Sequence, residues 1–148
     1  MGKRRKARES ALQVLFQLEF DDAQPQQALE RFWENRRTSE EIRKYTGWLV
    51  KGIITHREEI DSLIQSASEH WRISRMAVVD RNVLRMAVFE LLHEQDLAPA
   101  IVINEAIEIA KKYSSGEAAT FINGILDAIS KKMRLDKDIL GKDNEEKE

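Results

Sequence analysis

The chain has 148 residues, no cysteine, two prolines and six glycines, with 42% hydrophobic and 34% charged side chains. This excludes disulfide scaffolds, thiolate metal sites and thiol nucleophiles, and argues against a turn-dense all-β fold. The formal net charge of −2 hides an asymmetry: Lys3, Arg4, Arg5, Lys6 and Arg8 crowd the first eight residues with no acid among them, so the body of the chain is acidic.

Helical periodicity dominates in chain order. Ala7, Ala11, Val14, Leu15 and Leu18 form a core-facing stripe on a first helix that ends near Phe20. Pro25 suits the first turn of a second helix, where its missing N–H costs nothing; Ala28, Leu29, Phe32 and Trp33 supply its face. Thr38 with Glu41 has capping-box spacing. A third segment follows over 40–68, carried by Ile42, Tyr45, Leu49, Ile53, Ile60, Leu63, Ile64 and Ala67. Gly47, Gly52 and the polar patch Thr55–Glu59 could bend it, so one helix or two remain open.

Trp71 and Ile73 lie in a connector, and Ser74 is a candidate cap for the next helix. Val78 to Leu92 is apolar on most sides, which predicts a central helix. Asp96 to Pro99 breaks the pattern, and Ile101 to Tyr113 resumes it. Ser114 with Glu117 offers a second capping box before the helix of Ala118, Phe121, Ile122, Ile125, Leu126, Ile129 and Met133. The expected architecture is all-α with six or seven helices, a domain over 1–135, and a charged, flexible tail over 136–148. No apolar run reaches the roughly 20 residues needed to span a bilayer, and no signal-peptide pattern precedes the first helix. A cytoplasmic protein is the expectation.

Catalytic signals are missing. His56, His70 and His93 lack metal-ligand spacing, and no glycine-rich phosphate loop or nucleophile elbow is present. The pairs Glu58-Glu59 and Glu105/Glu108 read as solvated helix faces. No enzyme, cofactor or metal is implied.

The basic end is the strongest functional signal. On a helix, Arg5, Arg8, Leu12 and Phe16 fall on one rough stripe, with Gln13 one turn beyond Glu9. Such a face holds phosphates with guanidinium forks and stacks a base on Phe16. The alternative is a merely solvated end. Against it, cations at a helix N-terminus oppose the macrodipole, so helix stability alone does not account for them. Gly124 sits inside a helical pattern, where glycine costs roughly 1 kcal/mol relative to alanine. The simplest account is a close helix approach there, with Asn104 or Asn123 bonding between helices.

The segments RRKARESALQVLFQLE, DRNVLRMAVFEL, INEAIEIAKKY and FINGILDAI, in this order, resemble the NusB family of bacterial transcription antitermination factors. The resemblance runs from Lys3 to about Met133. It implies two small packed helical bundles. It also implies binding to the boxA element of nascent, single-stranded RNA together with NusE, a small-subunit ribosomal protein, within an RNA polymerase complex that resists termination, notably in ribosomal RNA operons. By position, Lys3, Arg4, Arg5, Lys6 and Arg8 match the family's basic RNA-binding end, with Gln13 and Phe16 just beyond. Phe16 replaces a tyrosine common there and keeps the stacking face. Glu117, Thr120 and Phe121 match the loop and helix start near RNA. Asp80, Arg81 and Leu84 match the stretch associated with NusE. Two alternatives remain: a protein-interaction helical domain, and a regulator acting in trans on an RNA-modifying enzyme. Homodimerisation is left open, and a membrane-surface helix is disfavoured because Glu9, Gln13 and Gln17 dilute the charge.

Overall fold

The computed structural model describes the backbone of residues 2–146 and the side chains of residues 2–136. It contains seven α-helices: α1 (Gly2–Phe20), α2 (Pro25–Trp33), α3 (Glu40–Thr55), α4 (Arg57–Ala67), α5 (Val78–His93), α6 (Pro99–Tyr113) and α7 (Gly116–Glu146), with a 3-10 turn at Ile73–Arg75. No strand occurs among the described residues. The all-α expectation holds. The expected tail over 136–148 falls almost wholly on side chains outside the described set.

The segment over 40–68 is two helices. The break is the single non-helical residue His56 (φ −104°, ψ 19°), not either glycine. Gly52 has a different task. A Cβ there would drive into the ring of Phe89, so this glycine lets α3 lie directly against α5. Gly124 is the reverse case. An added Cβ meets nothing within 4 Å, and Asn104 and Asn123 are exposed. The expected close approach at Gly124 is therefore corrected: the tight crossing lies at Gly52.

Both capping boxes are displaced by one residue. Ser39, not Thr38, caps α3, its hydroxyl accepting from the Ile42 N–H at 3.3 Å. Ser115, not Ser114, accepts from the Ala118 N–H at 3.0 Å. Ser74 lies inside the 3-10 turn and caps nothing; α5 starts after Ala77 without a side-chain cap. At the two boxes the adjacent residue carries the same hydroxyl chemistry, so local sequence does not separate the two registers. Pro99 takes the first turn of α6, so that helix begins two residues before Ile101.

Helices α1, α2 and α3 pack on one another, as do α4 to α7. The two groups meet along α5, which packs on α1, α3, α4, α6 and α7. Every residue of α5 from Asn82 to Glu90 is buried; the helix is central, as a sequence apolar on most sides predicts, and the buried Asn82, Arg85 and Glu90 are its polar exceptions. The core is one contiguous cluster that includes Leu15, Leu49, Ile53, Leu84, Phe89, Ile109, Ile122 and Leu126.

Ionic groups pin α1 antiparallel to α5 at both ends. Arg8, 3% exposed, donates through Nε and Nη2 to the two carboxylate oxygens of Glu90, 1% exposed, each at 2.8 Å. The Tyr45 hydroxyl donates to the same carboxylate at 2.6 Å. At the other end, Glu19 accepts from Arg81 at 2.8 and 3.1 Å and from Arg85 at 2.9 Å. Arg85 also grips Asp61 of α4 at 2.8 and 3.1 Å. The hydrogen bond from Arg81, helped by both guanidinium charges, lowers the Glu19 carboxyl from 4.5 to about 2.

Three outcomes follow from this packing. Gly52→Ala should destabilise the fold by about 1–3 kcal/mol through overpacking against Phe89, whereas Gly124→Ala should stabilise it by up to about 1 kcal/mol; urea midpoints of the two variants check the contrast. Glu90→Ala should cost about 3–5 kcal/mol by stranding a buried guanidinium, while an apolar replacement of Arg8 and Glu90 together should cost much less. Because Glu19 has a depressed folded-state pKa, its contribution is present above pH 4.5 and is lost as pH falls towards about 2. Glu19→Gln should flatten that part of the acid-denaturation profile, measured by circular dichroism.

Candidate nucleic-acid interface

The structure divides the five cations of α1 by the direction each leaves the helix. Arg8 points inward and is committed to Glu90, so it presents no edge to a ligand. The stripe of Arg5, Arg8, Leu12 and Phe16 is accordingly interrupted: its two middle members are buried. Arg5 is half-exposed and forms a forked pair with Glu105 of α6 at 2.9 and 3.0 Å. Glu105 is buried, which corrects the reading of Glu105/Glu108 as a solvated pair; only Glu108 is solvated. The Arg5 hydrogen bond, together with the Arg5 charge, holds the Glu105 carboxyl below its ordinary value.

Arg4 lies over the Tyr45 ring at 4.6 Å and reaches Glu94 at 3.2 Å. Lys3 meets Glu41 at 3.0 Å across an exposed gap, a contact that water and salt weaken easily. Lys6 is exposed and has no carboxylate within 4.0 Å among the described residues. All but Lys6 of the cations that oppose the α1 dipole are thus answered, by carboxylates of α3, α5 and α6 and by Glu94 just beyond α5. Arg4, Arg5, Lys3 and Lys6 still face solvent at least in part.

Further along α1, Gln13 is exposed and Phe16 is 42% exposed, its ring 5.2 Å from that of Phe20. Glu9, on the same side of the helix, accepts from Lys112 at 3.1 Å and from the Tyr113 hydroxyl at 2.9 Å. That contact brings the end of α6, and so the start of α7, beside this face of α1. There Glu117 and Thr120 are exposed and Phe121 is half-buried. Because Ser115 caps the helix, the Glu117 carboxylate is not used as a reciprocal cap.

Phe121 closes one wall of a cavity of about 380 Å³, with Trp71, Arg75, Met76, Asp80 and Glu117 among its other walls. Trp71 is 57% exposed and meets Phe121 edge-on at 6.4 Å. Asp80 has one carboxylate oxygen buried with no hydrogen-bond partner among the described residues. What this cavity offers a flat ligand is its two aromatic rings, Trp71 and Phe121.

The sequence placed Trp71 in a connector and assigned it nothing; only the tertiary packing against Phe121 shows its surface. Of the residues expected to meet a protein partner, Asp80 borders this cavity, Arg81 is tied to Glu19, and Leu84 is fully buried in the core. Leu84 therefore cannot be a contact residue in this conformation. No cluster of three or more His, Asp or Glu side chains suited to a metal occurs among the described residues.

Comparison with known proteins agrees with this geometry. A family model described as the NusB family matches residues 5–131. The transcription antitermination protein NusB of Desulforapulum autotrophicum is 45% identical over 131 residues, 87% of this chain and 92% of that one. That of Myxococcus xanthus is 42% identical over 134 residues, 88% of this chain and 96% of the other. Among solved structures, T. maritima NusB superposes with a TM-score of 0.81 at 40% identity, covering 86% of this chain and 90% of that one. A chain in the crystal structure of antitermination factors NusB and NusE in complex with double-stranded RNA superposes with a TM-score of 0.79 at 32% identity, covering 89% of this chain and 98% of the other. With a family model spanning most of its length and relatives above 40% identity over nearly all of it, this chain belongs to the NusB family.

Proposed function

We infer that the chain is a transcription antitermination factor that binds RNA together with NusE and acts without catalysing a reaction. The observation that carries this reading is the solvent-facing row of Lys3, Arg4, Arg5 and Lys6 on the same helix as the exposed Phe16. The cations supply attraction to phosphates, and exposed rings supply stacking for unpaired bases. The cavity between Phe121 and Trp71 adds further aromatic surface for an unpaired base. We assign RNA contact to Gln13, Phe16, Glu117, Thr120 and Phe121, and the bordering Asp80 to the seam where NusE and RNA meet. The preferred RNA is a single-stranded boxA-like element, and the setting is the cytoplasmic polymerase complex on ribosomal RNA operons. NusE contributes its own surface, so the RNA affinity of this chain alone is modest.

Four phosphate-facing cations bound the salt dependence. The slope of log K against log salt should not exceed about −2.8, at about −0.7 for each phosphate on a single strand. Lys3→Gln with Lys6→Gln should shallow it by about 1.4 by the same rule, without unfolding the protein. Replacing Arg8 would instead report on folding. Phe16→Ala and Phe121→Ala should each weaken binding by about 1–3 kcal/mol with the slope unchanged. Fluorescence anisotropy of boxA-like against scrambled RNA, with and without NusE, checks all of these. Equal binding to both RNAs, indifferent to NusE, would leave a protein-interaction domain as the better account.

A further inference from the structure

A second aromatic cleft lies around α1 from Phe16, between the first turn of that helix and α3. It has a volume of about 300 Å³ and is lined by Lys3, Arg4, Glu41, Lys44, Tyr45 and Trp48. Three of these are cations and one is an acid. Lys44 is exposed and has no carboxylate within 4.0 Å among the described residues, and the only acid, Glu41, is held by Lys3. Arg4 already covers the Tyr45 ring. Trp48, 37% exposed, is the ring left open to the cleft.

Trp48 is also held rigidly. Its ring centroid is 5.3 Å from that of Tyr45 and 4.7 Å from that of the buried Phe89. Phe89 in turn meets His93 at 4.7 Å, and His93 meets His56 at the same distance. Gly52 permits this row by letting Phe89 lie against α3. One open indole face, fixed in place and flanked by cations, has the chemistry of a base-stacking platform. Aromatic faces accept any base, and the surrounding ammonium groups meet its phosphate.

We propose that this cleft binds an unpaired nucleotide of the RNA outside the segment recognised at Phe16 and Phe121, with its base on Trp48 and its phosphate between Lys3 and Lys44. The proposal rests on the RNA-binding reading above and extends it. The strand held by the exposed cations of α1 continues over the helix N-terminus onto α3, so the footprint is longer than the recognised element. Arg4 stands between the two surfaces and is shared by both.

The test uses a boxA-like RNA with an unpaired oligoadenylate extension at its 5′ or its 3′ end, compared with the unextended RNA. One extension should tighten binding to the native chain by about five-fold or more, the stacking of a single base. Trp48→Ala should abolish that gain and leave the unextended RNA unaffected, and Trp48→Phe should keep most of it. Lys44→Gln, at an exposed position that folding does not need, should shallow the salt slope for the extended RNA alone by about 0.7. Absence of any gain from either extension, or a gain that survives both Trp48→Ala and Lys44→Gln, overturns the proposal. Lys6→Gln and Phe16→Ala, measured on the unextended RNA, report separately on the parent reading. If those variants lose affinity while the extension does nothing, the α1 site stands and the cleft is no part of it.

Discussion

The buried pair of Arg8 and Glu90 is the constraint around which the molecule is arranged. Each ion would be severely penalised alone in a water-free interior, and the forked geometry leaves neither oxygen of Glu90 unbound. Tyr45 adds a donor from α3, so three helices converge on one carboxylate. Sliding α1 by a turn would strand all three groups. The apolar stripes of α1 and α5 do not discriminate so sharply, because one aliphatic contact substitutes readily for another. The pair therefore sets register as much as it contributes stability. The Glu19, Arg81, Arg85 and Asp61 cluster does the same at the far end and ties in α4.

This arrangement explains how a strongly cationic helix start coexists with a stable helix. The N-terminal end of α1 lies beside the C-terminal part of α5, and four of its five cations face the carboxylates Glu90, Glu94, Glu105 and Glu41. Those contacts range from wholly buried to fully exposed. The buried ones hold the helix in place, and the exposed ones yield to competing anions at little expense. One short run of basic residues thus serves two purposes, and the division follows the rotation of about 100° between successive residues of a helix.

The same rotation places aromatic surface around the basic end. Phe16 and Phe20 share one side of α1, and Trp71 meets Phe121 of α7 at a second surface. Tyr45 and Trp48 lie on another side, on α3. Trp48 is supported from beneath by the buried Phe89, so its ring is presented with little loss of side-chain freedom on binding. A surface of fixed rings and mobile ammonium groups fits a ligand of stacked bases and repeating charge.

The sequence by itself determined the class, the approximate place of the helices, most of the apolar faces, the central place of α5 and the basic first helix. These are local properties: periodicity, cap chemistry and charge density are all written in neighbouring residues. The four ordered segments also carried the family resemblance. Only the tertiary structure decided which basic residues are ligands for carboxylates and which face solvent, since Arg8 and Lys6 are alike in sequence and differ only in what α5 brings opposite them. It also decided that Gly52 and not Gly124 marks the close crossing, that Ser39 and Ser115 cap rather than their neighbours, that Leu84 is core, and that Trp48 and Trp71 stand on open surfaces. Each of these depends on partners between three and about a hundred positions away, and a carboxylate such as Glu90 or Glu105 has no local signal that tells it apart from a solvated one.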